Sequence, residues 1–201
     1  MQAIIFDLGG VILDIDISKT NQAFRDIGFR DIDDYFGLGH ADSFFLDYEK
    51  GGFSDEEFVN KVLEKLEHKV GKEAVHKAWN ALLLDFPEER IQHLKDLKNR
   101  YRLFLYSNTN GIHLDQFAEM YRVKFGGEEL DDLFEKAYYS HVAGFRKPDS
   151  KGYLHILEEN QLNPSDTYFI DDALVNVEAA NAVGIRGIHL KPGQTILDLD
   201  L

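Results

Sequence analysis

The feature of this chain that most constrains its fold is an alternation of two apolar spacings. Short β-branched and aromatic runs bounded by turn residues recur at Ala3–Phe6, Leu103–Tyr106, Lys136–Ser140, Thr167–Ile170 and Arg186–His189, and each reads as a buried strand. Between the later runs, apolar residues fall at helical spacing: Ile91, Leu94 and Leu97; Ile112, Phe117 and Met120; Tyr153, Leu154, Ile156 and Leu157; Val175, Val177, Ala179, Ala180 and Val183. Strands alternating with helices predict an α/β fold, a Rossmann-like parallel sheet with helices on both faces.

The stretch from Ser18 to Leu84 breaks the alternation. It offers only helical periodicities, such as Phe58, Val59, Val62, Leu63, Leu66 and then Val75, Ala78, Trp79, Leu82, Leu83. The expectation is a core domain made of residues 1–17 and 85–201, with a helical insertion over 18–84. Ser54 followed three residues later by Glu57 forms a capping box that starts one of its helices. Pro87 is suited to the first position of the helix that returns to the sheet.

Composition excludes several classes. With 201 residues, 44% of them hydrophobic, the chain can bury a core of its own. A formal charge of -14 would repel nucleic acid and anionic membrane surfaces, so the expected partner is a small molecule. The absence of cysteine removes disulfides and thiolate metal sites and suits a reducing compartment. The apolar run before Asp7 is too short for a signal peptide or a membrane span, so a cytoplasmic monomer is the default expectation.

In open parallel sheets, ligands bind beyond the carboxyl ends of the strands. The segments at those ends are Asp7-Leu8-Gly9-Gly10-Val11, Ser107-Asn108-Thr109-Asn110, Arg146-Lys147-Pro148 and Asp171-Asp172. Each alone has an ordinary reading as a turn, a helix cap or a solvated charge. Together they bring a hydroxyl, an amide, a lysine and three carboxylates to one rim. That combination suits phosphoryl transfer. Hard carboxylate oxygens select Mg2+, a lysine adds positive charge near phosphate, and an aspartate can split the reaction through an acyl phosphate.

The four segments, in order and spacing, resemble the motifs of the haloacid dehalogenase superfamily, in the subfamily whose helical cap is inserted after the first motif. The resemblance runs from Asp7 to Asp172 and is carried by Leu105 to Asn110, Arg146 to Asp149, and Phe169 to Asp172 with Asn176, Ala179 and Ala180. It implies a magnesium-dependent phosphatase acting on a phosphorylated small molecule, in the manner of the sugar-phosphatase-like members. It makes Asp7 the nucleophile and a metal ligand, Lys147 the bridge between Asp7 and phosphate, and Ser107 and Asn108 the phosphoryl-binding pair. Gly9 would offer its carbonyl to the metal, Asp172 would be a direct ligand, and Asp171 a second or water-mediated one. Asn176 would order the loop.

One position departs from the family pattern. Most phosphatase relatives carry an acid/base aspartate two residues after the nucleophile, where this chain has Gly9. Asp14 and Asp16 are the nearest substitutes in sequence, although bracing the insertion's entrance serves equally well as their role. Gly9 is also the main support for a rival reading, a phosphate-binding protein with little turnover. A metal-free dehalogenase is disfavoured by the crowded Asp171-Asp172 pair. The eight histidines form no zinc pattern, and packing is the simpler expectation for His113 and His141. Phe44, Phe45, Tyr48 and His40 are rich enough in aromatic surface to set substrate preference, though the same spacing suits a bundle core.

Overall fold

The chain begins with β1 (Ala3–Phe6), at the centre of the main sheet. The computed structural model describes residues 2–37, 40–67 and 69–201. A two-residue strand β2 (Asp14–Ile15) leads into α1 (Ile17–Asp26), α2 (Ile32–Tyr35), the ribbon β3 (Phe36–Gly37) and β4 (His40–Ala41), α3 (Ser43–Tyr48), α4 (Asp55–Lys65) and α5 (Lys72–Asn80). The chain returns through β5 (Leu83–Asp85) to α6 (Glu88–Leu97), β6 (Arg102–Ser107) and α7 (Gly111–Lys124). It continues through β7 (Lys136–Tyr139), α8 (Ser140–Ala143), α9 (Ser150–Glu159), β8 (Thr167–Asp171), α10 (Leu174–Ala182) and β9 (Arg186–His189).

The five expected strands form one parallel sheet in the order β7-β6-β1-β8-β9. Alternate residues of β1 face opposite ways, as a strand's period of two requires. Ile4 and Phe6 pack with Ile91, Leu94, Leu97 and Phe117, while Ala3 and Ile5 pack with Tyr153, Ile156 and Ala180. Both faces are therefore covered by helices. The parallel register pairs Phe6 with Leu105 and with Ile170, so the ends of β1, β6 and β8 share one rim.

The inserted helices have their own core, in which Phe24, Phe45, Tyr48, Phe58, Val62 and Trp79 are buried together. The capping box is formed: the Ser54 amide donates to Glu57 Oε2 at 2.8 Å, and the Glu57 amide to Ser54 Oγ at 3.3 Å. Two expectations are corrected. The helix read through Leu82 and Leu83 ends at Asn80, because Leu83–Asp85 instead pairs antiparallel with Asp14–Ile15. An insertion that leaves and re-enters at one place needs such a stem, and helical periodicity alone does not show it. Pro87 is the N-cap residue rather than the first residue of α6. No helix among the described residues is long and apolar enough to cross a membrane.

Candidate active site

The centre of the rim is the Lys147 ammonium, whose side chain is 1% exposed and lies 2.7 Å from both Asp7 Oδ1 and Asp171 Oδ2. Beneath it are the rings of Tyr106 and Phe169, with centroids at 5.5 and 5.4 Å. Such faces stabilise a cation that has lost its water. Burial opposes the charge on Lys147, but Asp171 and Asp7 hold its pKa above the usual lysine value. Burial raises the Asp7 carboxyl from 3.8 to about 7 against the pull of Lys147, with Asp171 and Asp172 adding repulsion.

The consecutive aspartates at the end of β8 have different surroundings. Asp171 is fully buried and saturated: besides Lys147, it accepts from the Ala173 amide at 2.8 Å and from Asn176 Nδ2 at 3.1 Å on each oxygen. Its geometry is that of an anchor for the lysine and for the start of α10. Asp172 is exposed, and its carboxylate lies over Gly10, where an added Cβ would come within 2.3 Å of Oδ2. Gly10 also has φ of +77°, so glycine is required there twice over. Partial desolvation of the carboxylate over this turn raises the Asp172 carboxyl above its usual value, and the neighbouring Asp171 adds to that rise.

Asp7, Asp171 and Asp172 can each offer an oxygen within 4.8 Å of the others. One ammonium among three carboxylates leaves excess negative charge, and hard oxygens around such a deficit suit a divalent cation that retains waters. Gly9 adds a carbonyl to the same turn. In that turn the Leu8 carbonyl accepts from Val11, Ile12 and Leu13 and the Leu13 carbonyl accepts from Gly10, so none of these amides is directed at Gly9.

The second motif is fixed by bonds that its sequence does not announce. Ser107 closes β6 and is buried, and none of the hydrogen bonds among the described residues uses its hydroxyl. The Asn108 side chain is engaged with the lysine loop: Nδ2 donates to the Lys147 carbonyl at 3.0 Å, and Oδ1 accepts from the Lys147 amide at 2.9 Å. A side-chain amide offers both donor and acceptor and so matches the N–H and C=O of one residue, and Asn108 thereby clamps the lysine's backbone. Ser140, which the sequence reading missed, accepts from the Thr109 amide at 2.9 Å and donates to the Thr109 carbonyl at 3.0 Å. Only its place at the end of β7 could have signalled it.

The space beside the Gly9 Cα is taken up by an apolar side chain. A Cβ added to Gly9 would lie 3.1 Å from Ile15 Cδ1. The expected substitutes are engaged elsewhere. Asp14 Oδ1 receives Arg90 Nη1 at 2.7 Å, bracing β2 against α6. Asp16 is the N-cap of α1, accepting from the Ser18 hydroxyl at 2.5 Å and from the Ser18 amide at 3.0 Å, and this hydrogen-bonding, the hydroxyl's first, holds its carboxyl below the usual value.

The aromatics expected to set specificity are packed inward. Phe45 and Tyr48 are 1% exposed, Tyr48 stacks on Phe58 at 4.1 Å, and its hydroxyl donates to Asp55 at 2.6 Å. Phe44 is half-buried and stacked on the same Phe58. These rings are core because they satisfy one another; the side chain of His40 lies outside the described residues. His113 is buried as well. Asn110 Nδ2 donates to its Nδ1 and its Nε2 donates to the Trp79 carbonyl, both at 3.0 Å, and burial lowers its pKa to about 4.

Fold and rim geometry together define a known class, and residues 1–184 match the family of haloacid dehalogenase-like hydrolases. The chain belongs to that family. It is 29% identical over 190 residues to a D-ribitol-5-phosphate phosphatase of Bacteroides thetaiotaomicron, an alignment covering 94% of this chain and 92% of the relative. A crystal structure of a haloacid dehalogenase family enzyme from the same organism, a point mutant in complex with magnesium and inorganic phosphate, superposes with a TM-score of 0.91 at 30% identity and covers 96% of each chain. A sesquiterpene phosphatase of Aspergillus oryzae is 46% identical over 106 residues, covering 52% of this chain and 50% of the relative.

Proposed function

We propose that the chain is a phosphatase of small phosphorylated metabolites, with a sugar or polyol phosphate as substrate and Asp7 as the nucleophile. The observation that supports this most is the Lys147 ammonium shared between Asp7 and the saturated Asp171, with the open Asp172 carboxylate beside them. Magnesium is the cofactor; Asp7, Asp172 and the Gly9 carbonyl would hold it, with Asp171 serving as the lysine's anchor. When bound, it neutralises negative charge that phosphate and carboxylate bring together.

Asp7 attacks phosphorus as the bond to the leaving oxygen breaks, giving an aspartyl phosphate and an alcohol once that oxygen takes a proton. Water then attacks phosphorus, the Asp7 oxygen leaves as carboxylate, and inorganic phosphate is released. Lys147 supplies positive charge to both the nucleophile and the transferring oxygens, and the free Ser107 hydroxyl donates to one of those oxygens. The Asn108 side chain acts by holding the lysine's backbone. The segment between Asp16 and Leu82 acts as a cap over this rim. With Ile15 over Gly9, no side chain from this turn supplies the proton, so rate depends on how readily the leaving group departs.

The test is phosphate release from a panel of phosphate esters that includes D-ribitol 5-phosphate, measured with magnesium and with chelator. Release that requires magnesium supports the reading. No release from any ester, or equal release in chelator, overturns it.

A further inference from the structure

Outside the charged centre, the sheet domain and the helical insertion are joined by an ion pair that the proposed chemistry does not use. Arg146, the residue before Lys147, donates to Glu49 Oε2 through Nε at 2.9 Å and through Nη2 at 2.8 Å. Glu49 is the C-cap of α3, and the two side chains are only 16% and 22% exposed. Two residues further on, Gly51 passes directly against the other domain: a Cβ added there would lie 2.2 Å from the His141 carbonyl oxygen. The chain segment after α3 is thus ion-paired at one point to the segment that precedes Lys147 and packed closely against it at another.

Stability is a poor reason for such a pair. Removing two charges from water costs about what their attraction returns, and the best-attested use of a buried pair is to fix an arrangement. Burial does raise the Glu49 carboxyl above its usual value even with Arg146 beside it. The arrangement available to fix is that of the lysine loop. Asn108 holds the Lys147 backbone from the sheet side, and Glu49 holds the adjacent residue from the insertion.

We propose that the Glu49–Arg146 pair is a positioning device through which the seating of the helical insertion sets the placement of the Lys147 ammonium. It rests on the reading of Lys147 as part of the phosphoryl-transfer site. When the insertion lifts, Glu49 withdraws from Arg146, the loop loses its restraint from the insertion, and full lysine function is confined to the closed form. Neither residue touches the reacting atoms.

The experiment compares the full chain with Glu49→Gln, Arg146→Gln, the double variant, and the charge swap Glu49→Arg with Arg146→Glu. Turnover of D-ribitol 5-phosphate and p-nitrophenyl phosphate is measured alongside backbone hydrogen exchange over residues 144–149. Each single variant is expected to lower kcat about tenfold with little change in KM, the mark of a group felt mainly in the transition state. The double variant should lose no more than either single one, the swap should recover part of kcat, exchange in the loop should quicken, and in the double variant, which strands no charge, the unfolding midpoint should stay near wild type. Wild-type kcat in both single variants, losses that multiply in the double variant, or loop exchange unchanged in all four would overturn the proposal. Hydrogen exchange needs no substrate, so a wild-type protein that releases no phosphate would defeat the phosphatase reading while the coupling is still measured.

Discussion

The rim of the sheet and the interior of the helical insertion are each crowded with side chains of one kind, and they resolve the crowding in opposite ways. In the insertion, Phe44, Tyr48 and Phe58 stack, Phe45 lies against Trp79, and Trp79 Nε1 donates to Asn110. Each of these rings packs against another ring of the bundle. At the rim, three carboxylates gather around one ammonium that pairs with two of them, and only Asp171 is fully satisfied. Completed pairing marks a core, and incomplete pairing marks a place where a ligand finishes the arrangement.

The comparison is broken most severely at its charged centre. Lys147→Ala strands Asp7 and Asp171 without a cation, and losing one partner of a buried pair costs about 3–5 kcal/mol. Urea unfolding should show that loss together with absence of phosphate release; an unchanged midpoint would mean that the carboxylates are not held charged by the lysine. At the aromatic centre, Trp79→Ala should cost about 3–5 kcal/mol through the cavity it leaves. Phe45→Ala should reduce turnover of all esters in parallel, through the folded fraction alone. A selective change in one ester's KM would return Phe45 to the substrate site.

A third prediction concerns pH. His113 in the folded chain has a pKa of about 4, against 6.5 when unfolded. Between those values the unfolded chain binds a proton that the folded chain refuses, so stability is complete above pH 6.5 and falls as pH drops toward 4. A depression of this size corresponds to roughly 3 kcal/mol across the window. His113→Gln should flatten that part of the pH–stability curve, and an unaltered slope would assign it to other groups.

The smallest expected effect is at Gly9. Protonation by a positioned acid is worth about 10²–10⁴ in rate. Wild-type rates should therefore fall steeply as leaving groups become more basic, with anomeric and aryl phosphates hydrolysed better than primary alkyl phosphates. Gly9 does not have the left-handed backbone of Gly10, so the obstacle to an aspartate there is Ile15. Gly9→Asp combined with Ile15→Ala should narrow the alkyl–aryl gap about tenfold, part of the full range open to such an acid. A flat leaving-group series in the wild type would mean that another group already donates the proton.

The sheet was legible from sequence because strand and helix periods are local, and the motifs were legible because parallel strands deliver their ends to one rim. What the sequence withheld depends on contacts distant along the chain. Glu49 and Arg146 are 97 residues apart, and nothing near Gly9 shows that Ile15 will fill the space beside it. Asp171 and Asp172 are chemically identical in the sequence. They differ because β8 ends at Asp171, which places one carboxylate inward against Lys147 and the next at the surface. Aromatic spacing in α3 fits a binding wall and a bundle core equally, and only tertiary packing decides between them.

The central claim is that Asp7 carries the phosphoryl group. Acid quenching during turnover of a phosphate ester, followed by proteolysis and mass analysis, tests it most directly. The account predicts a phosphoryl adduct on the peptide containing Asp7, lost on mild base treatment as an acyl phosphate should be, and absent from an Asp7→Asn variant that folds normally and releases no phosphate. Undiminished turnover by Asp7→Asn, or an adduct on any other residue, would contradict it.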